Sequence, residues 1–386
     1  MNKINWNKVG LRSNPFKIVP EKNSDDLIWA GFKENKKKFD SILENSLKND
    51  DTNLILNLTR YGGGKTHASY FYSNPDNLPL TDEISKPLNL TVITPKKGDN
   101  SYWELYIKIV EEIGVNYISK CVKTLRENKP NTKESIRLLQ NWAKSEDLGR
   151  ILWLLGDEDD EISFGAEQLL LGSNLSVSLK NKLRVRRAIQ SLSDISQVLS
   201  CLINILSVYN EEQKLNKPRK IFIWIDELES LVYYTSKQYR PFTQTIRELI
   251  DNTPTNLCLI MNFSFAEPSD TQNLEILIGE ALLDRVNDQF IFEDASVNDA
   301  LEYVKDLLNH FRISEYNHQP YYPFKEESLM LLLQNASGQT GLPILPRTIN
   351  KWCKRTLEQL DINSIPLPID ESHIEEVKYD DRLDEF

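Results

Sequence analysis

A glycine-rich segment carries the strongest chemical signal in this sequence. Residues 59–66 read TRYGGGKT, and the last three match the end of the phosphate-binding pattern G-x-x-x-x-G-K-[ST]. Thr59 stands where that pattern has its first glycine. Glycines allow backbone N–H groups to converge on phosphate oxygens, because no Cβ lies in the way. The segment therefore predicts a binding site for phosphate groups.

The residue types of this segment also indicate separate roles. The Lys65 ammonium would reach the β- and γ-phosphates of a nucleotide, and the Thr66 hydroxyl would ligate Mg²⁺. A helix that follows the loop would add the positive end of its dipole. A glycine turn that happens to precede Lys-Thr is the alternative interpretation. The predicted nucleotide-binding residues are Gly62, Gly63, Gly64, Lys65, Thr66 and His67.

An acidic pair at the end of an apolar run is the second signal. Residues 221–225 read IFIWI and are followed by Asp226 and Glu227. A continuous apolar run predicts a strand buried on both faces, and an acid at its carboxyl end points into the ligand crevice of an open α/β sheet. Asp226 would hold the metal, and Glu227 would orient and deprotonate the attacking water. A solvated acidic turn is the alternative.

The elements that must position these residues alternate along the first part of the chain. The glycine segment follows an apolar strand and precedes a helix, as phosphate binding requires. This alternation predicts an α/β fold with a doubly wound parallel sheet of about five strands, flanked by helices. The predicted strands cover residues 53–58, 88–94, 221–225, 257–261 and 289–292. The predicted helices cover residues 33–48, 101–113, 238–251, 297–311, 325–336 and 346–360.

The composition excludes several classes of protein. A formal net charge of -11 argues against a non-specific nucleic-acid coat. The four histidines have no metal-ligand spacing, and the four widely separated cysteines are typical of reduced thiols in a cytoplasmic protein. The sequence lacks an apolar run of ~18 residues, so we do not expect a membrane partner or a membrane span.

The two motifs and the strand pattern resemble the AAA+ P-loop ATPases. The resemblance covers roughly residues 10–377 and is strongest to the clade of origin-recognition-complex-like initiators, transposition ATPases and ATP-binding proteins of bacterial phage-defence islands. Residues 10–16, GLRSNPF, are similar to the G-L-x-x-N-P-F opening of some bacterial members. The resemblance implies an ATP-hydrolysing switch that oligomerises and acts on a partner protein or a nucleic-acid complex, in phage defence or DNA transactions.

The resemblance also implies a domain organisation. Residues 1–294 would form the AAA+ base and residues 295–386 a helical lid with an acidic tail. The stretch between Lys65 and Asp226 is longer than a compact nucleotide-binding core needs. We therefore expect a helical insertion at about residues 115–215, where features particular to one family member are most easily accommodated.

A polar sensor of the γ-phosphate is implied at the end of the fourth strand. Asn262 follows the run LCLIM and is the candidate, with Ser264 as the alternative. An ordinary asparagine at a strand end is the simpler interpretation of the same residue.

Two arginines are implied as further site residues. Arg285 corresponds to the arginine finger that completes a neighbouring subunit's site, and Arg347 to the lid arginine that reads the γ-phosphate in the same chain. A surface arginine paired with Asp284 or Asp288 is the alternative for Arg285, and a solvated arginine at a helix start is the alternative for Arg347.

The partner and the reaction leave alternatives open. The basic run 180–187, KNKLRVRR, would contact DNA phosphates or a partner, or would be a solvated face; the acids of residues 157–161 would equally serve as its intramolecular partner. A non-hydrolysing ATP-binding scaffold for protein assembly is the main alternative function. A small-molecule kinase, which shares the phosphate loop, is the weaker one.

Overall fold

The computed structural model describes most of the chain and divides it into two compact units. The terminal unit comprises Met1–Asp40, Thr59–Phe71 and Ile291–Phe386, and the sheet unit comprises Ser41–Leu58 and Tyr72–Phe290. The described residues are 4–22, 25–80, 85–95, 100–209, 218–265, 276, 278–313, 319–362 and 364–379.

Five strands form one sheet. They are β1 (Asn53–Arg60), β2 (Leu88–Ile93), β3 (Ile221–Asp226), β4 (Leu257–Phe265) and β5 (Asp288–Ile291), arranged in the order β2-β3-β4-β1-β5. The pairs β2–β3 and β3–β4 are parallel. Parallel neighbours require crossover connections, which the intervening helices supply. The predicted α/β fold class and the five predicted strands are confirmed.

Alternation along the strands places the polar candidates on one face of the sheet, which also carries the buried Phe222, Trp224 and Ile260. Because successive strand residues point to opposite faces, Ile221, Ile223 and Ile225 share one face of β3. They join the main hydrophobic cluster together with Leu54, Leu56, Leu58, Leu257, Leu259 and Met261. The opposite face therefore receives the side chains of Asn57, Asp226 and Asn262. The polar candidates thus lie on one side of the sheet and the large apolar core on the other.

The helices agree closely with the sequence pattern. Those predicted at 33–48, 101–113 and 297–311 match to the residue, and the other three agree within about one turn. The α-helices of the described chain are α1 (Lys33–Lys48), α2 (Lys65–Ser73), α3 (Ser101–Ile113), α4 (Val115–Asn128), α5 (Thr132–Trp142), α6 (Glu146–Leu154), α7 (Asp160–Leu170), α8 (Val177–Leu183), α9 (Leu192–Val208), α10 (Ser236–Asn252), α11 (Glu280–Leu283), α12 (Val297–Phe311), α13 (Glu326–Thr340), α14 (Pro346–Gln359) and α15 (Glu371–Ile374).

Residues 115–215 were predicted to be mostly helical. The described part of this stretch, residues 115–209, is mostly helical. It contains α4 to α9, whose apolar faces join the same hydrophobic cluster as the sheet. Polar side chains start several of these helices by accepting a hydrogen bond from a backbone N–H of the first turn, which is the preferred N-cap chemistry. These caps are Asn131, Ser145, Asp159, Ser176 and Ser191.

The terminal unit joins both ends of the chain in one core. Leu11 and Phe16 are fully buried in a cluster with side chains of α12, α13 and α14. The Arg12 N–H donates to the Phe311 carbonyl at 2.9 Å, and the Ile313 N–H donates to the Gly10 carbonyl at 2.9 Å. The division into a base of residues 1–294 and a lid of 295–386 stays a prediction; the compact units do not follow it, because the N-terminal segment packs with the C-terminal helices. Residues 380–386 of the predicted acidic tail lie outside the described residues.

Candidate functional site

The glycine loop has a backbone that depends on its residue types. Gly62 and Gly64 have φ angles of 86° and 100°, in the left-handed region that glycine adopts most readily. The Gly63 N–H donates to the Arg60 carbonyl at 3.0 Å and closes a turn. Helix α2 begins at Lys65, which is buried, so the first N–H groups of the helix directly follow the loop. Such a helix start attracts an anion.

Thr59 and Gly63 fit together within this loop. A Cβ placed on Gly63 would lie 1.9 Å from the Thr59 hydroxyl oxygen, so the threonine side chain occupies the space that residue 63 leaves free. Thr59 is fully buried, and its hydroxyl has no hydrogen-bond partner among the residues that the structure describes. The departure from the phosphate-binding pattern at position 59 is therefore accommodated by the glycine at position 63.

Arg347 lies beside the glycine loop. Its backbone N–H donates to the Gly62 carbonyl at 3.3 Å, and a Cβ placed on Gly62 would approach the Arg347 Cβ to 2.9 Å. Pro346, the first residue of α14, lies on the other side at 3.9 Å from the Cβ position of Gly64. Because Gly62 and Gly64 have no side chains, the loop can contact the start of α14. The reading of a γ-phosphate by Arg347 stays a prediction.

His67 belongs to an aromatic group. Its ring centroid lies 6.3 Å from those of Trp29 and Phe71, and Trp29 also stacks on Phe292 at 6.1 Å. Desolvation lowers the pKa of His67 to about 4. The imidazole is therefore neutral near pH 7, and a role in nucleotide binding stays a prediction. Trp29 was not among the predicted site residues, because its aromatic partners lie far from it in the sequence.

Asp226 is fixed at the end of β3 by its neighbours. It is only 3% exposed, and its carboxylate accepts a hydrogen bond of 3.0 Å from the Glu227 N–H. Its carbonyl accepts from the Thr94 N–H at 2.9 Å and from the Thr94 hydroxyl at 2.7 Å. Glu227 has a φ of 60°, which is uncommon for a residue with a side chain and is often found at functional sites. Thr94 escaped the sequence analysis, although it is a polar residue just after an apolar strand.

The register of the sheet brings Asn262 next to Asp226. Ile225 lies opposite Met261, so the residues that follow them, Asp226 and Asn262, are neighbours on the same face of adjacent strands. Such strands lie about 4.8 Å apart. Ser264, two residues further along β4, shares this face, and its N–H donates to the Glu229 carboxylate at 3.0 Å. The register favours Asn262 as the sensor, and the choice stays a prediction.

Arg285 is engaged within its own chain. Its Nε donates to one carboxylate oxygen of Asp251 at 2.7 Å, and its Nη2 donates to the other at 2.9 Å. These hydrogen bonds raise the pKa of Arg285. The sequence alternative named Asp284 or Asp288 as the partner, and this was wrong, because the guanidinium reaches across to α10 instead. The role of Arg285 as an arginine finger stays a prediction.

Part of the basic run in 180–187 is also paired internally. Lys182 lies 2.5 Å from the Glu161 carboxylate and 3.7 Å from that of Asp159. Arg187 donates two hydrogen bonds of 2.7 Å to Asp194. The acidic stretch is thus an intramolecular partner for Lys182, as one of the sequence alternatives proposed. A contact of this run with DNA stays a prediction.

Two features are absent from the described residues. There, no group of three or more histidine, cysteine, aspartate and glutamate side chains is arranged to hold a metal ion. No described helix combines the length and the apolar character that a membrane crossing requires. The four cysteines are buried and form no disulfide with one another.

The strand order, with β1 between β4 and β5 and a glycine loop leading from β1 into α2, defines an α/β fold of the P-loop NTPase class. No protein-family model and no curated protein matches the sequence. Among solved structures, the chain is similar to Drosophila ORC bound to DNA, with 11% identity, coverage of 93% of this chain and 67% of that chain, and a TM-score of 0.48.

Two archaeal structures are similar to the same extent. Cdc6p from Pyrobaculum aerophilum has 11% identity, with coverage of 92% of this chain and 67% of that chain, and a TM-score of 0.47. Aeropyrum pernix ORC2, solved as ADPNP–ADP complexes, has 10% identity, with coverage of 94% of this chain and 70% of that chain, and a TM-score of 0.47.

Proposed function

We propose that this chain binds ATP at the glycine loop and hydrolyses it. The conformation of the loop carries the proposal: Gly62 and Gly64 adopt left-handed angles just before Lys65 begins a helix. This backbone, with Lys-Thr at the helix start, is the arrangement that surrounds phosphate groups in nucleotide-binding loops. The Asp226-Glu227 pair at the end of the buried strand β3 is the acidic motif that accompanies such a loop in P-loop nucleotide hydrolases.

The donor atoms of the two motifs suit Mg²⁺. Thr66 offers a hydroxyl and Asp226 a buried carboxylate, and Mg²⁺ prefers such oxygen ligands. These two residues would hold the ion. When bound with the nucleotide, Mg²⁺ supplies charge neutralisation at the β- and γ-phosphates.

The side chains of the chain itself would perform the remaining steps. Lys65 would bind the β- and γ-phosphates through its ammonium group, and Glu227 would orient a water molecule and accept its proton. Asn262, next to Asp226 across β3 and β4, would donate a hydrogen bond to the γ-phosphate.

The proposed self-association of the chain and its action on a partner are inferred from the sequence resemblance. Arg285 from one subunit would complete the site of the next, so ATP would promote self-association. Arg347 would report the γ-phosphate to α14, whose first turn contacts the loop at Gly62. The switch would then act on a partner protein or a nucleic-acid complex, in phage defence or DNA transactions.

A nucleotide-binding and turnover assay on three variants tests the proposal. Lys65→Ala should abolish the rise in melting temperature that MgATP causes, because the phosphates lose their cation. Glu227→Gln should retain that rise and lose turnover by about 100-fold or more. Lys180→Ala, which changes a partly exposed lysine of α8 that donates to the Asn174 side chain, is the matched control and should behave as the wild type. A Lys65→Ala protein with full turnover would refute the proposal.

A second candidate is a scaffold that holds ATP without turnover. The hydrogen bonds between Arg285 and Asp251 favour it, because they keep the candidate finger engaged within its own chain. Single-turnover measurements over a range of protein concentrations distinguish the two functions. ATP that remains intact when protein is in large excess would support the scaffold.

A further inference from the structure

A buried pair of amides on the sheet face of Asp226 joins the predicted sensor, Asn262, to Asn57, a residue that was not among the predicted site residues. Asn57 on β1 and Asn262 on β4 are both 0% exposed, and the Asn57 Nδ2 donates to the Asn262 Oδ1 at 2.9 Å. Both strands are otherwise rich in apolar side chains. Two asparagines in such a place require an explanation, because an apolar pair would avoid the desolvation of two side-chain amides.

Only two of the four polar side-chain atoms of this pair have a partner among the described residues. The Asn57 Oδ1 and the Asn262 Nδ2 are buried and have no partner among the described residues. Buried side-chain polar atoms nearly always have a partner in folded proteins. The contact with Asn57 occupies the oxygen of the Asn262 amide and leaves its NH₂ group unused. That group is a donor, which is what a phosphate oxygen requires.

The position of Asn262 explains why a donor would be kept there. By register it is the neighbour of Asp226, the candidate metal ligand, on the same face of the sheet. We infer that Asn57 is a positioning residue for this site: by donating to the Asn262 oxygen it fixes the amide so that the nitrogen serves the γ-phosphate. The inference rests on the proposed function and adds a residue on β1 that no motif includes.

Single-turnover hydrolysis and ATP affinity, measured separately, test this role. Asn57→Leu should lower the single-turnover rate about tenfold to 100-fold, whereas the Kd for ATP should change less than about threefold, because the loop and Lys65 are untouched. Asn262→Leu should lower the rate at least as much. The double variant should be no slower than Asn262→Leu, since residues that act as a unit are not additive.

Two more variants complete the experiment: Asn57→Asp is a second test of the positioning role, and Asn89→Leu is its control. An aspartate offers only acceptors, so it should attract the Asn262 nitrogen, turn the amide over and slow hydrolysis as Asn57→Leu does. Asn89 on β2 is the matched control: its two amide atoms are also buried without a described partner, but it lies opposite Phe222, four residues before Asp226. Asn89→Leu should hydrolyse ATP at the wild-type rate.

Results that would contradict the role of Asn57 can be distinguished from results that would contradict the proposed ATPase function. If Asn57→Leu folds, binds ATP and hydrolyses it at the wild-type rate, Asn57 has no positioning role, although the ATPase remains. A double leucine variant that melts at an equal or higher temperature with an unchanged rate would identify the pair as structural only. Should Asn57→Leu not fold, the rate of Asn57→Asp decides. A wild-type protein without turnover would remove the proposed function itself, and this inference with it.

Discussion

Arg285 holds Asp251 through two nearly parallel hydrogen bonds of 2.7 and 2.9 Å, although 34 residues separate them in the sequence. The contact joins the end of α11 to the last turn of α10. Its side chains are partly exposed, at 31% and 46%. A guanidinium held in this way within one subunit has to change partners before it can act in another.

We expect this pair to control the concentration dependence of ATP hydrolysis. Asp251→Asn keeps the shape of the side chain and removes its charge, so assembly should require less protein. An exposed ion pair contributes about 0.2–1 kcal/mol, so the midpoint of a plot of specific activity against protein concentration should fall by at most about fivefold. Arg285→Ala should give a low and flat specific activity.

Asp284→Asn is the control for that experiment. It removes the same charge beside Arg285 in the sequence, but no hydrogen bond joins it to the guanidinium. Its midpoint should remain closer to that of the wild type. An Arg285→Ala protein whose specific activity still rises with concentration would argue against a role as arginine finger.

Gly63→Ala should prevent nucleotide binding for a local steric reason. The new methyl group would lie 1.9 Å from the Thr59 hydroxyl and 3.1 Å from the Arg60 carbonyl, so the loop would have to move. We expect MgATP to lose its effect on the melting temperature. Thr59→Gly in the same chain should restore part of the effect, because it removes the closer obstacle.

The comparison with Gly338→Ala makes this prediction specific. A Cβ at Gly338, within α13, would have no neighbour within 4 Å, and alanine is the better helix former by about 1 kcal/mol. That variant should bind nucleotide normally and be at least as stable. Equal nucleotide responses in Gly63→Ala and the wild type would exclude the steric explanation.

The N-terminal motif GLRSNPF should be needed for the stability of the terminal unit. Phe16 is fully buried, and its N–H donates to the Asn14 side chain at 2.9 Å, which shapes the turn before it. Phe16→Ala should cost about 3–5 kcal/mol in the free energy of unfolding, measured by urea denaturation. Val19→Ala, at a side chain 66% exposed, should cost less than about 0.5 kcal/mol. Equal losses in the two variants would contradict the packing.

His67 should make the folded chain sensitive to mild acid. Its pKa is lowered from 6.5 to about 4 by desolvation, so below pH 6.5 the unfolded chain takes up a proton that the folded chain does not. The stability that His67 contributes is therefore complete above 6.5 and is lost as the pH falls towards 4. His67→Gln should remove this loss.

The measurement is the difference in unfolding free energy between the wild type and His67→Gln at several pH values. Other titrating groups largely cancel in this difference. It should be constant above pH 7 and should shift in favour of the variant as the pH falls from 6.5 to about 4. A difference independent of pH over that range would show that the imidazole is not desolvated.

The strands and the two motifs could be predicted because their signals are local. The run IFIWI is apolar at every position, and the acid that follows it marks the end of β3. Helix α12 begins at a serine–aspartate capping box that sequence alone displays at Ser296 and Asp299. Position along the chain therefore sufficed to place Gly62–Thr66 after a strand and before a helix.

The relationships that escaped prediction are all between distant segments. Asn57 stands within an apolar strand, and nothing nearby in the sequence indicates that Asn262 lies beside it. Asp251 was overlooked as the partner of Arg285 because nearer aspartates offered simpler pairings. The packing of GLRSNPF against α12 has no periodic signal, since its buried residues are irregularly spaced.

The union of both chain ends in one core also sets an order for biosynthesis. Leu11 and Phe16 precede in the chain the helices that bury them, and their cluster extends to Tyr379. The sheet unit, which ends at Phe290, is complete before that point. Domains fold as their residues emerge from the ribosome, so the nascent chain carries these two apolar side chains uncovered until the helices of the terminal unit have been translated.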